Sequence, residues 1–218
     1  MELFLNDKLG KISVEIDEAS NARAILIMAH GAGAGMLHPF MQVLASKIAL
    51  IDITTIRFNF PYMEQGRKSP GSPKTNIEAW KAVVDYVSNT YPDLPIFTSG
   101  KSYGGRMASH LIAQNQISAI KGIIYFGFPL HAPGRDSIDR AAHLADINIP
   151  QLFLQGSKDK LANPDLMNEV VKSLQMVEME LIEDADHSFN VPKRSGKTKE
   201  DIMDFLAQKS EAWMKDKL

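Results

Sequence analysis

The chain has no cysteine. That excludes disulfides, thiolate metal sites and a cysteine nucleophile, and it fits a cytoplasmic protein. Long hydrophobic runs are also missing. No stretch approaches the length needed to span a bilayer. The apolar run Leu3 to Leu5 gives way to Asn6 and Asp7, too short for the apolar core of a signal peptide. Charge of one sign is missing too: the formal net charge is −2, so no broad basic surface for nucleic acid is indicated. There is no His-x-His or His-Glu-x-x-His pattern, so no metal site is supported, and no cofactor is expected.

What remains is an ordinary globular composition. The 218 residues are 44% hydrophobic and 23% charged, enough for one domain over 1–218 with a sizeable core. No repeat, charge block or low-complexity linker divides it. The eleven methionines read as flexible core filling rather than a metal or partner feature.

Strand-like and helix-like segments alternate along the chain. Strands are expected over 11–17, where apolar and polar residues alternate, and over 23–30, 53–60, 95–100, 120–129, 150–156 and 177–184. Helices are expected over 38–50, 76–91 with Asn76 as the cap, 103–115, 137–147, 163–174 and 199–217. Pro61 opens a Pro/Gly/Ser-rich loop to residue 75. Such alternation predicts an α/β fold: a mostly parallel twisted sheet with helices on both faces. Functional residues then belong at the carboxyl ends of the strands.

The stretch "FTSGKSYGGRM" (97–107) admits two motifs. As a phosphate loop it fails, because Pro95 stands where the first glycine is required and Ile96, Phe97 and Thr98 are strand residues. "SGKT" (195–198) fails likewise, with Val191 at that place. "HGAGAGM" (30–36) offers Gly31 and Gly33 to a dinucleotide fingerprint, but Met36 replaces the third glycine, and the next strand ends in Asn59 and Phe60 without an acid.

As Gly100-Lys101-Ser102-Tyr103-Gly104 the stretch is G-x-S-x-G between a strand and a helix. A serine on that sharp turn is a candidate nucleophile, with small residues where strand and helix come close. Serine needs a base for its proton and a carboxylate to orient the base. The expected order is Ser, acid, His. "QGSKD" supplies Asp159 after one strand, and "DADHSF" supplies His187 after the next. Asp159 has an alternative role as a helix cap or turn residue. Asp184 and Asp186 are rival acids, awkwardly close to His187 in sequence. His38, His110, His131 and His143 read as structural or surface residues. Two N–H groups are candidate oxyanion donors: Tyr103, following the nucleophile, and Ala32 in the glycine-rich loop. His30 is expected to buttress that loop.

Taken together, "HGAGAG", "GKSYGG", "GSKD" and "DADHSF" make the chain resemble the α/β-hydrolase superfamily over essentially its whole length. "RFNFPYMEQGRKSP" and "GKSYGGRMAS" resemble the small dienelactone-hydrolase-like group that includes testis-expressed and KANL-type hydrolase-like proteins. The resemblance implies the α/β-hydrolase fold and a Ser102–His187–Asp159 apparatus, but no substrate. Many relatives carry a large cap before the acid. Here only "LHAPGRDSIDRAAHLADIN" fills that place, so a fairly open site is expected, covered at most by this segment and the 61–75 loop. That favours small esters, or a partner surface, over a long-chain lipid.

Lys101, Arg106, Arg57, Arg67 and Lys68 are charges in or near strand-end loops, and "PKRSGKTK" follows the base. Ordinary solvated charge is the preferred reading over an anion-attracting rim. The leading expectation is a serine hydrolase acting on a small-molecule acyl substrate, an ester or thioester. The alternatives are a catalytically weak interaction module on the same fold, or an acyltransferase or peptidase using the same residues.

Overall fold

Among the described residues eight strands form one sheet in the order β1-β2-β4-β3-β5-β6-β7-β8. They are β1 Glu2–Asn6, β2 Gly10–Asp17, β3 Ala24–Ala29, β4 Ile53–Phe58, β5 Ile96–Lys101, β6 Ile120–Phe126, β7 Gln151–Gly156 and β8 Val177–Ile182. The computed structural model describes residues 1–115 and 117–218. β1 and β2 run antiparallel at one edge, and β4 through β8 with β3 are parallel. β3, β4 and β7 are buried at every residue; of the three, β3 is the continuous apolar run expected of a strand covered on both faces, while β4 and β7 also bury Thr54, Thr55, Arg57, Gln151 and Gln155.

The helices are α1 Pro39–Ala49, α2 Pro61–Glu64, α3 Pro73–Thr90, α4 Tyr103–Asn115, α5 Pro164–Ser173 and α6 Lys199–Lys215. α1 and α6 cover one face of the sheet, where Leu44, Ile48 and Leu206 meet Leu26 and Phe97. α3, α4 and α5 cover the other, where Trp80, Met107 and Met167 pack with Ile27 and Tyr125. Among the described residues no helix is long and apolar enough to cross a membrane.

Three expectations are corrected, and one strand, β1, lies outside the expected strands; at the sheet edge it alternates exposed and half-buried residues over only five positions. The Pro-rich loop contains the short helix α2. The expected 137–147 helix is a 3-10 segment, Asp139–Asp146. Asn76 is not a cap: α3 begins at Pro73, with Ser72 at the N-cap position, because proline's fixed φ and missing N–H suit the first helical position. Asn76 is instead fully buried, and its amide donates to Pro70 O and to Tyr103 Oη at 2.9 and 2.8 Å.

Candidate active site

β5 ends at Lys101 and α4 begins at Tyr103, leaving Ser102 alone to reverse the chain. Its φ of +51° is in the left-handed region, which costs a non-glycine residue energy that the surroundings must hold in place. They do so by crowding. A Cβ on Gly100 would meet the Gly104 and Gly105 backbone, and one on Gly104 would meet the carbonyl groups of Ala29 and His30. The serine N–H donates to Phe126 O at 3.1 Å, across to β6.

The chain's next contributions come from two neighbouring strand ends. Beyond β7, Asp159 is buried, its side chain fully so. Beyond β8, a turn presents His187, whose side chain is 25% exposed. His187 Nδ1 lies 2.6 Å from Asp159 Oδ2, and Nε2 lies 2.9 Å from Ser102 Oγ. An ionised carboxylate only accepts, so Nδ1 carries the ring proton and Nε2 accepts from the serine hydroxyl.

Gln155, which sequence reasoning missed, belongs to this arrangement. Its Nε2 donates to Asp159 Oδ2 at 2.6 Å, and its Oε1 accepts from Phe128 N at 2.8 Å. Leu161 N donates to the other carboxylate oxygen, Oδ1, at 2.8 Å. The buried carboxylate thus meets three donors, which fixes its plane. Only the position of Gln155 four residues before Asp159 hinted at this, and that spacing carries no specific signal in a strand.

The rival acids have other partners. Asp186 Oδ1 accepts from Ser188 N and Asn190 N at 2.8 and 2.9 Å, shaping the turn that carries His187. Asp184 meets Arg194 at 3.3 Å. The remaining histidines are structural: His38 caps α1 by accepting from Phe40 N, His131 accepts from Asn163 N, and His110 stacks on His143.

The glycine-rich loop is braced from below. His30 is fully buried. Its Nε2 accepts from Phe60 N at 3.2 Å, and Nδ1 lies 2.7 Å from Gly31 O, so Nδ1 bears the proton. Burial pushes its pKa down to about 4, keeping the ring neutral. Gly33 N donates to Tyr62 Oη at 3.2 Å, and Gly33 has a φ of +71°. Ala32 is exposed on this loop and lines the same 530 Å³ cavity as Ser102 and His187. Among the described residues no protein acceptor takes the backbone N–H of Ala32 or Tyr103.

Two of the charges expected to be solvated have acceptors inside the protein instead. Arg57 is buried in an ion pair with Asp17 at 2.9 Å and donates to Met36 O. Lys101 is half-buried, with Nζ 2.6 Å from His187 O. Burial, opposed by the Asp159 and Asp186 charges, lowers its pKa to about 8. Each found an acceptor inside the protein, which offsets the desolvation that normally keeps such groups outside.

The cavity is lined on its apolar side by Phe40, Met41, Ala34 and Leu161, and on its polar side by Lys101 and Lys199. Among the described residues the 61–75 loop and the segment between β6 and β7 add nothing to its lining.

Several solved structures share this architecture. Dienelactone hydrolase from Anabaena variabilis superposes with a TM-score of 0.78 at 17% identity, over 100% of this chain and 96% of that one. Est1E from Butyrivibrio proteoclasticus, with ferulic acid bound, gives 0.77 at 14% identity, over 100% and 98%. A serine hydrolase without a lid from Xanthomonas campestris gives 0.67 at 21% identity, over 87% and 86%. The sequence itself matches the family model described as the alpha/beta hydrolase domain over residues 22–215. A match of that extent, on a sheet of this topology, makes the chain a member of the alpha/beta hydrolase family.

Proposed function

We propose that the protein is a serine hydrolase that cleaves a small ester or thioester through an acyl-enzyme, and that residues 1–218 act as one catalytic domain. The observation that carries this reading is the unbroken hydrogen-bond chain from Asp159 through His187 to Ser102. The left-handed backbone of Ser102 supports it, because strain at this turn exposes the hydroxyl.

In this mechanism Ser102 Oγ attacks the substrate carbonyl carbon while His187 Nε2 takes the hydroxyl proton. Asp159 holds the ring and stabilises the imidazolium. The oxyanion is met by the N–H groups of Tyr103 and Ala32, which have no protein acceptor among the described residues. Collapse of the tetrahedral intermediate breaks the bond to the alcohol or thiol, which leaves with the proton from Nε2. Water then attacks the acyl-enzyme as Nε2 takes its proton. Release of the carboxylic acid restores Ser102.

A small acyl group is favoured by the 530 Å³ cavity with its apolar wall of Phe40, Met41 and Leu161. A lidless serine hydrolase and an ester-sized aromatic acid bound to Est1E occur among the structural neighbours, in keeping with an open site for a compact acyl group. The interaction-module alternative gains nothing from a connected Ser–His–Asp set.

The test is intact-mass labelling with a fluorophosphonate. One adduct on the wild type, absent from Ser102→Ala and His187→Ala, followed by turnover of short acyl esters, is the expected result. Folded wild type that takes no adduct would overturn the reading.

A further inference from the structure

A second cavity, of 690 Å³, is the groove between α3 and α4. Among the described residues it shares no lining with the cavity at Ser102. Pro73, Ile77 and Leu111 give it an apolar wall; Lys74, Lys81 and Arg106 give it charge. Glu78 is the one acid among the described lining residues. It stands four residues after Lys74 and three before Lys81 on the same helix, where it offsets their charge. Lys81 is further paired with Asp85 at 2.6 Å.

Arg106 has no such balance. Arg23, Arg57 and Arg194 each meet a carboxylate; among the described residues Arg67, Arg135, Arg140 and Arg106 meet none, and of these Arg106 is the one with a buried, unpartnered atom. Its guanidinium makes no hydrogen bond there, and its Nε is buried without a partner. Its surroundings add positive charge. Burial, then the nearby Arg140, holds its pKa below the usual arginine value. His110, which also lines the groove, is lowered by burial and then by Arg106. Buried polar groups in folded proteins are normally satisfied, and an orphaned one is expensive.

We propose that the α3–α4 groove is an anion-binding site anchored by Arg106, and that its ligand is a small organic oxyanion with an apolar body. The guanidinium fork matches two oxygens of a phosphate or carboxylate. Ile77, Leu111 and Pro73 take the hydrocarbon part. The balanced lysines on α3 leave the Arg106 end of the groove as the place for the charge. Arg106 closes the first turn after the candidate nucleophile, its N–H donating to Ser102 O at 3.2 Å. The proposal does not require Ser102 to be catalytic.

The test titrates the full-length chain with phenyl phosphate and, separately, with phenol, following amide shifts by NMR and affinity by calorimetry. Saturable binding of phenyl phosphate, shifts centred on α3 and α4, no saturation with phenol and unchanged affinity in Ser102→Ala are expected. Arg106→Gln should weaken binding about 10-fold or more, the scale of a lost charge-assisted hydrogen bond, and Arg106→Lys should recover part of it. The proposal is overturned if wild type does not saturate, if phenol binds equally, if the shifts centre on the Ser102 cavity, or if folded Arg106→Gln binds as wild type does. The wild-type arms decide the matter even if the glutamine variant does not fold.

Discussion

Lys101 Nζ donates to the backbone carbonyl of His187 at 2.6 Å, so the residue before the candidate nucleophile is tied to the backbone of the candidate base. The ammonium lies 5.4 Å from the Phe189 ring centre and 5.9 Å from that of Phe40, in cation–π range. One side chain thus joins the end of β5 to the turn after β8.

Removing it in Lys101→Met is expected to slow fluorophosphonate labelling of Ser102 on the order of 10- to 100-fold, the cost of letting a reacting group drift by about an ångström. A second readout separates positioning from general damage. The folded pKa is about 8 against 10.5 for the free side chain. Between those values the unfolded state binds more protons, so wild-type stability rises with pH across that window. The Tm difference between wild type and Lys101→Met should therefore shift in favour of wild type from pH 8 to 10.5. A difference that stays flat with pH would count against a Lys101 whose pKa is lowered by its surroundings.

Acid should act on the loop beneath the candidate oxyanion donors. The folded pKa of His30 is about 4 against 6.5 for the free residue. The unfolded state binds more protons between these values, so stability is lost as pH falls through that window. The loss from this residue is at most about 3 kcal/mol. His143, lowered to about 3 by burial and then by His110, contributes in the same direction. His30→Gln keeps an acceptor for Phe60 N but does not titrate. Its acid-side drop in Tm should be shallower than that of wild type, even if its stability at neutral pH is lower. Equal slopes would show that His30 already exchanges protons freely in the folded state.

Much of this was legible in sequence because local and tertiary signals agreed. α4 spans Tyr103–Asn115, as the sequence pattern predicts, since a serine flanked by Gly100, Gly104 and Gly105 admits only a sharp strand–helix junction. The order of Ser102, Asp159 and His187 along alternating elements fixed which strand ends had to meet. Partners far apart in sequence were not legible. Nothing in "TNIEAW" shows that Asn76 reaches Tyr103 Oη, and a lysine that finds a carbonyl in the interior reads the same as a solvated one. β1 is not legible because Phe4, exposed between the half-buried Leu3 and Leu5, turns the alternation of burial into an unbroken apolar run in sequence.

Gln155 offers a test of how firmly Asp159 must be held. In Gln155→Leu the carboxylate keeps Leu161 N and His187 as donors but loses the contact at 2.6 Å, and the buried Phe128 N–H loses its acceptor. An unsatisfied buried donor costs about 1–3 kcal/mol, which should appear as a lower Tm. A loosened carboxylate should also slow labelling. Gln155→Glu restores an acceptor for Phe128 but sets a second carboxylate beside Asp159. It should recover part of the stability and none of the labelling rate. If both variants label as fast as wild type, Asp159 needs no support beyond its own turn.

The turn at Ser102 makes the sharpest demand on side-chain size. In Gly104→Ala the new methyl group would meet the Ala29 and His30 carbonyls. These are backbone atoms of β3 and its exit, in the middle of the sheet, so neither can swing aside as a flexible side chain would. Relief requires α4 to move away from β3, and Ser102 moves with it. The expected cost is about 3 kcal/mol, the upper end for overpacked sites, with labelling of Ser102 lost in whatever fraction remains folded. Gly134→Ala is the control: among the described residues nothing lies within 4 Å of its Cβ, and its φ of +68° leaves backbone strain alone. Circular dichroism melts and fluorophosphonate adduct mass on the two variants should therefore separate, with Gly134→Ala destabilised slightly and still labelled. A Gly104→Ala protein that melts and labels like wild type would mean that strand and helix are not packed as tightly at Ser102 as this geometry requires.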